Sequence, residues 1–357
     1  VKASWKPGRL ESGKVEKWKS GTDADSSNHD PEKGSIPQHS DNLSLSPARI
    51  LLYLAEIKWL IGKWDESDLN LQEALTFATQ SQDTEELFDC HRLKGISSFQ
   101  RGNFEQAKAE WDTCLELASS RPPDPSTSRP LDPLTSRPPD FSTSRLLAIV
   151  NGNLGIWFQH HKLYDEAITH HQQSLEYANA IQDELRKART FSNLGLIYMN
   201  QKDYTKAEDH FQACLELAEA NHYLKEQSIA LGNLGFLAYK QGDLDKAMPF
   251  YEKKWLLVDK MDDKGELIKV LGNIANIHRD KGQHREALEY YQKVLAQKLH
   301  LGNPKELAIT YYCIAEEHIS MGDISEAIEY LQIAASYLPP TEPLLQTCLK
   351  RLSEIDQ

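Results

Sequence analysis

Asparagines stand at 153, 193, 233 and 273, 40 residues apart without drift, in "NGNLGIW", "FSNLGLIY", "LGNLGFLAY" and "LGNIANIH". So regular a period constrains the fold more than any single motif, because it describes one unit made repeatedly rather than one core. Two residues after each amide comes a small residue, Gly155, Gly195, Gly235 or Ala275, and the same register extends to Ala55, Gly95 and Ala315. Twelve residues further on runs a second small series: Ser67, Ala107, Ala167, Ala207, Ala247, Ala287 and Ala327.

Residues 186–225 serve as the type unit. Leu194, Leu196, Ile197 and Tyr198 mark a first helix, "QKDY" a turn, and Ala207, Phe211, Cys214, Leu215 and Leu217 a second helix at three- and four-residue spacing. Each unit is then a helical hairpin whose two small residues let the helices approach closely. Mid-helix glycine costs about 1 kcal/mol against alanine, so its return at 95, 155, 195 and 235 implies a steric demand. Asp203, Asp243 and Asp323 are placed as N-caps of second helices, Asp323 with Glu326 in the pattern of a capping box. Ser46-Pro47 and Asn303-Pro304 open first helices.

The units are expected at about 46–85, 86–120, 146–185, 186–225, 226–265, 266–305 and 306–340. The step from Gly95 to Gly155 is 60 residues, and the excess holds three near-copies of an octapeptide, "SRPPDPST", "SRPLDPLT" and "SRPPDFST". Residues 121–145, rich in Pro, Ser and Thr, are therefore expected to form an inserted disordered loop between units at 45–120 and 146–340. Residues 1–44 are polar and aperiodic, so disorder is expected there too. Leu344, Leu345, Cys348 and Leu352 lie on one face of a terminal helix, within 341–357, that would cap the last unit. The fold expected is thus all-α: a solenoid of about seven hairpins plus a C-terminal capping helix.

The formal charge is −13, and residues 1–44 carry seven acidic and seven basic residues, so the deficit lies in the repeats. Phosphate backbones require clustered Lys and Arg, which makes nucleic acid an unexpected partner. No apolar run approaches the roughly 18 residues that span a bilayer, so no membrane association is expected. "VKASWKPGRLESGKVEK" lacks a signal peptide's apolar core. Five cysteines, an odd number without a C-x-x-C pair, fit reduced thiols and a cytoplasmic location. Cys114 and Cys214 share one slot on an apolar helix face, where a thiol packs as a small hydrophobe.

No catalytic residue, metal site or cofactor is expected. His278-Arg279-Asp280 has the letters of a kinase catalytic loop without its asparagine, glycine-rich strand or D-F-G. His160, His161, His170 and His171 straddle a turn, but His170 shares its repeat slot with His210, so repetition explains part of the cluster. There is no nucleophile elbow, P-loop or H-E-x-x-H.

Small residues at the eighth and twentieth places of a helical hairpin, with Phe104, Tyr164 or Tyr204 near the turn, resemble the tetratricopeptide repeat over residues 46–340. The period of 40 and the lack of a unit-ending proline are similar to the long-helix type of kinesin light chain, G-protein signalling modulators and Rap- and MalT-like bacterial regulators. The resemblance implies a right-handed superhelix whose first helices line a concave groove. It also places Asn153, Asn193, Asn233 and Asn273 in that groove, where amides hold the backbone of an extended guest. A carboxamide suits this task because it both donates and accepts. The alternative is that the amides bond neighbouring helices and set the superhelix.

Tyr53, Leu93 and Cys313 replace the amide in units one, two and seven, so the holding stretch would be units three to six. On the same face lie Ile149, Arg189, Ile229 and Lys269, four residues before the amides, and Ile156, Leu196, Phe236 and Asn276, three residues after them. The expected partner is a protein or peptide ligand, apolar with an acidic residue. Two functions follow from the resemblance: a scaffold that captures a partner's peptide or helix, or a sensory segment controlling an output domain such as a transcription regulator, kinase or CHAT-type protease.

Overall fold

Helical hairpins follow one another without interruption by any strand among the described residues. The computed structural model describes residues 45–120 and 141–355; the expectations for 1–44 and for most of the 121–145 insertion lie outside that range. The helices are α1 (Pro47–Leu60), α2 (Trp64–Ser81), α3 (Thr84–Gln100), α4 (Phe104–Ser119), α5 (Phe141–His160), α6 (Tyr164–Ala180), α7 (Glu184–Asn200) and α8 (Tyr204–Ala220). They continue as α9 (Leu224–Lys240), α10 (Leu244–Met261), α11 (Lys264–Asp280), α12 (His284–Leu301), α13 (Pro304–Met321), α14 (Ile324–Ser336) and α15 (Pro343–Ile355).

Each helix packs on the next, and α1, α3, α5, α7 and α9 also touch in series, so these five odd helices form a continuous row. This is the stacking of an α-solenoid, in which each hairpin buries its apolar face on its neighbours. Along the seam, Ala207, Phe211 and Cys214 of α8 lie with Ala230, Leu231 and Leu234 of α9, all buried. At the end of the row, Leu344, Leu345 and Leu352 of α15 pack with Leu338 and Ala334, and Cys348 is fully buried.

The turns show how the register is kept. The residue two before the next helix has positive φ in every hairpin: Gly62, Gly102, Gly242, Gly282 and Gly322 at 72–85°, Lys162 at 60° and Lys202 at 66°. This left-handed residue ends a helix sharply, and glycine adopts it without a Cβ penalty.

Two expectations are corrected. Helix α5 begins at Phe141 rather than 146, directly after the last proline of the insertion, because nothing beyond Pro139 blocks helical hydrogen bonding. Asp323 occupies an N-cap position but its side chain accepts no capping bond; its carboxylate sits 3.5 Å from His318 Nδ1 instead. By contrast the Asp203 and Asp243 carboxylates accept from the N–H groups of Lys206 and Lys246, and Asp263 accepts from Glu266 N–H at 3.0 Å. Asp263→Ala is therefore expected to cost about 1 kcal/mol and Asp323→Ala only a small fraction of that. Equal shifts in urea melts would contradict the difference.

Candidate functional site

The recurring glycines are explained by what faces them. A Cβ built on Gly95 would lie 2.3 Å from the Trp111 ring, on Gly155 2.6 Å from His171, on Gly195 2.5 Å from Phe211 and on Gly235 3.0 Å from Tyr251. The even helix thus lays a ring flat on the odd helix sixteen residues after each glycine. Where the slot holds alanine, its counterpart is Leu71, Tyr291 or Leu331.

The amides stand two residues before these contacts, about 200° round the helix at roughly 100° per residue, and so point away from the ring-bearing helix. All four are half-buried. Asn233 Nδ2 donates to Ser192 Oγ on α7 at 3.2 Å, a bond from one odd helix to the next. Asn153 Nδ2 is buried without a partner. Asn193 and Asn273 make no side-chain hydrogen bond to another described residue. The residue preceding each amide is Gly152, Ser192, Gly232 or Gly272, so one unit's amide meets little bulk in the unit before it.

The structure brings Ile156, Ile229 and Phe236 to the surface at 37–39% exposure, while Leu196 is half-buried against the α7–α9 cluster. Lys240 lies over the Phe236 ring, 5.2 Å from its centroid. Asn276 is engaged within the fold: its Oδ1 accepts from Tyr291 OH at 2.7 Å, and Tyr291 OH in turn accepts from Arg279 at 3.2 Å.

Neither expected cation is unengaged. Arg189 Nε reaches Glu226 of the next unit at 2.8 Å, and Glu226 is only 5% exposed. Lys269 reaches Glu266 at 2.8 Å, which lifts the lysine above its ordinary pKa. Glu266 is also held by Lys254 at 2.7 Å; burial alone would raise this carboxyl, but bonds from the two lysines keep it below its usual value.

Lys254 was hidden from sequence reasoning because it comes from an even helix. Its slot holds Ala74, Cys114, Ser174, Cys214, Val294 and Ala334 in the other units. Here a 7%-exposed lysine runs past Gly232, where a Cβ would meet Nζ at 2.9 Å. The carboxylate row was visible in principle, since Glu226, Glu266 and Glu306 keep the 40-residue register.

The sequence profile described as tetratricopeptide repeat matches residues 186–253 and 266–335. These two segments are tetratricopeptide repeats. Among solved tetratricopeptide-like structures, the apo form of RapI aligns at 14% identity over 86% of this chain and 100% of its own, with a TM-score of 0.56. The apo quorum sensor NprR from B. thuringiensis aligns at 12% identity over 85% of this chain and 79% of its own, TM-score 0.56. Aspartyl phosphate phosphatase F from Bacillus subtilis aligns at 13% identity over 89% and 86%, TM-score 0.55. At these identities the likeness is one of fold. No curated protein matches the sequence.

The four histidines around the α5–α6 turn have different surroundings. His171 is fully buried on Gly155, His170 stacks on Phe158 and bonds Asn151, and His160 and His161 pack around Phe104.

Proposed function

We propose that the row of odd helices is a binding groove for a peptide or helical segment of a partner protein. One observation carries this reading: amides in strict register, of which Asn193 and Asn273 have no bond to another described residue, lie beside exposed Ile156, Ile229 and Phe236. Half-buried amides gain most from a guest that supplies both N–H and C=O groups, as a peptide backbone does. The protein is read as a binding scaffold without catalytic activity of its own. Its five free thiols, four of them buried, fit a reducing cytoplasmic setting.

Because Arg189 and Lys269 already hold Glu226 and Glu266, an acidic guest residue gains only what exceeds those internal pairs. Apolar side chains therefore decide recognition more than charge. One fold neighbour, NprR, is a quorum sensor, which suits a second use of such a groove, in which the bound peptide is a signal.

The test uses peptides selected by display on the wild-type protein and titrated calorimetrically. Asn193→Ala and Asn273→Ala are expected to weaken binding by about 1–2 kcal/mol each, roughly five- to thirtyfold, with little change in melting. Asn233→Ala, which also breaks the bond to Ser192, is expected to lower both affinity and melting temperature. Unchanged affinity at Asn193 and Asn273 with lowered melting would overturn the groove assignment.

A further inference from the structure

The tetratricopeptide ring slot has a different occupant in the first hairpin, with a consequence for binding. In the second to sixth hairpins the residue facing the small slot is Trp111, His171, Phe211, Tyr251 or Tyr291; in the first it is Leu71, opposite Ala55. A leucine leaves part of a ring's space unfilled, and a cavity of about 260 Å³ lies there between α1 and α3. Ala55 and Leu71 form its buried floor, and Ser67 adds no free polarity, since its hydroxyl donates to Ala55 O at 2.8 Å. Trp59, Leu93 and Ile96 make the walls. Glu56 and Arg92 frame the cavity and pair with each other at 3.2 Å, Arg92 also holding Asp89 at 3.0 Å.

We infer that this cavity is an anchor pocket that accepts one aromatic side chain of the peptide bound in the groove. The occupant follows from the molecule's own pattern: five hairpins fill the equivalent slot with a ring, and Ala275 with Tyr291 shows that alanine and a ring coexist there. Size agrees, because an apolar cavity of about 150 Å³ already admits benzene, so phenyl and indole groups both fit. The rim's charges are spent on one another, so the pocket selects by apolar shape. Leu93 stands at the amide's own repeat position and Ile96 at that of Phe236, which puts the pocket on the same row of helices as the ladder. The inference rests on the groove reading for the guest's identity, while its test does not.

The probes are N-acetyl-tryptophanamide and N-acetyl-phenylalaninamide, with N-acetyl-alaninamide as control, titrated into the full chain and followed by amide chemical shifts. Single residues carry no peptide backbone that runs on to Asn193, two units along from Leu93, so they examine the pocket, whereas Asn193→Ala examines the groove. Saturable shifts confined to α1–α3 are expected for the aromatic probes, at least about tenfold weaker for the control. Leu71→Phe, which supplies the ring internally, is expected to raise the melting temperature and abolish the shifts. Leu93→Glu, at a half-buried wall position, should abolish them without filling the floor. Absence of shifts in the wild type, or their survival in Leu71→Phe, overturns the inference.

Discussion

Gly195→Ala is expected to destabilise the protein by about 2 kcal/mol, while Gly272→Ala, the same change 77 positions along in another odd helix, is expected to stabilise it by up to about 1 kcal/mol. Propensity treats the two alike, since both glycines are inside helices and alanine is the better former. Packing separates them. A Cβ on Gly195 would lie 2.5 and 2.6 Å from two Phe211 ring carbons, and that ring is fully buried among Ala207, Leu231 and Leu234. It cannot swing aside, so overpacking at the upper end of its usual range of about 1–3 kcal/mol outweighs the gain in helix propensity. A Cβ on Gly272 meets nothing within 4 Å. The double change Gly195→Ala with Phe211→Leu reproduces the alanine–leucine pairing of Ala55 with Leu71 and Ala315 with Leu331, and should be less destabilised than the sum of its parts. Denaturant melts of the four variants decide the matter. Strict additivity, or a neutral Gly195→Ala, would mean that the ring does not enforce the glycine.

The repeat was legible because its determinants are local and recur: the two small series fixed the hairpin, and the turn residues fixed where helices stop. The ring slot was harder to read. Leu71, Trp111, His171, Phe211, Tyr251, Tyr291 and Leu331 keep perfect register, yet they span apolar, polar and titratable chemistry, so no single residue type betrays the series. What unites them is bulk against a bare backbone, a property of the pair rather than of either residue.

The amide register was equally plain, but bonding was not. Whether Arg189 is available depends on Glu226, a residue 37 positions away that only stacking brings within 2.8 Å. Lys254 illustrates the same limit: sequence places it on an even helix, and only the gap at Gly232 lets its ammonium reach Glu266. The start of α5 is hard to read because its Ser and Thr continue the composition of the proline-rich stretch before them. Once the prolines end, Thr143 and Ser144 are buried within the helix.

Mild acid is expected to weaken the fold, and His171 is the reason. Its ring fills the slot opposite Gly155, fully buried, with neither nitrogen hydrogen-bonded. Burial, aided by the charge of His170, pushes its pKa down from 6.5 to about 4. His170 itself, which lies near Lys108 and Asp112 of α4, is also lowered, chiefly by burial, so the pair acts in the same direction. In the unfolded chain both imidazoles take up protons near their ordinary value, whereas folded His171 resists protonation until about pH 4. Between pH 6.5 and 4 the unfolded state therefore binds more protons, and stability is lost as the pH falls through that window. A difference of some 2.5 units at 1.36 kcal/mol each amounts to roughly 3 kcal/mol across the window. Even neutral, the imidazole carries unmet polar atoms that cost about 1–3 kcal/mol. His171→Phe, which copies the pairing of Phe211 with Gly195, is expected to raise stability at pH 7 and to remove most of the acid sensitivity. The check is the unfolding midpoint of wild type and variant from pH 8 down to 4. Parallel curves would show that another group drives the acid response; curves that meet at neutral pH and part only in acid would show that the neutral imidazole is as well accommodated as a phenyl ring.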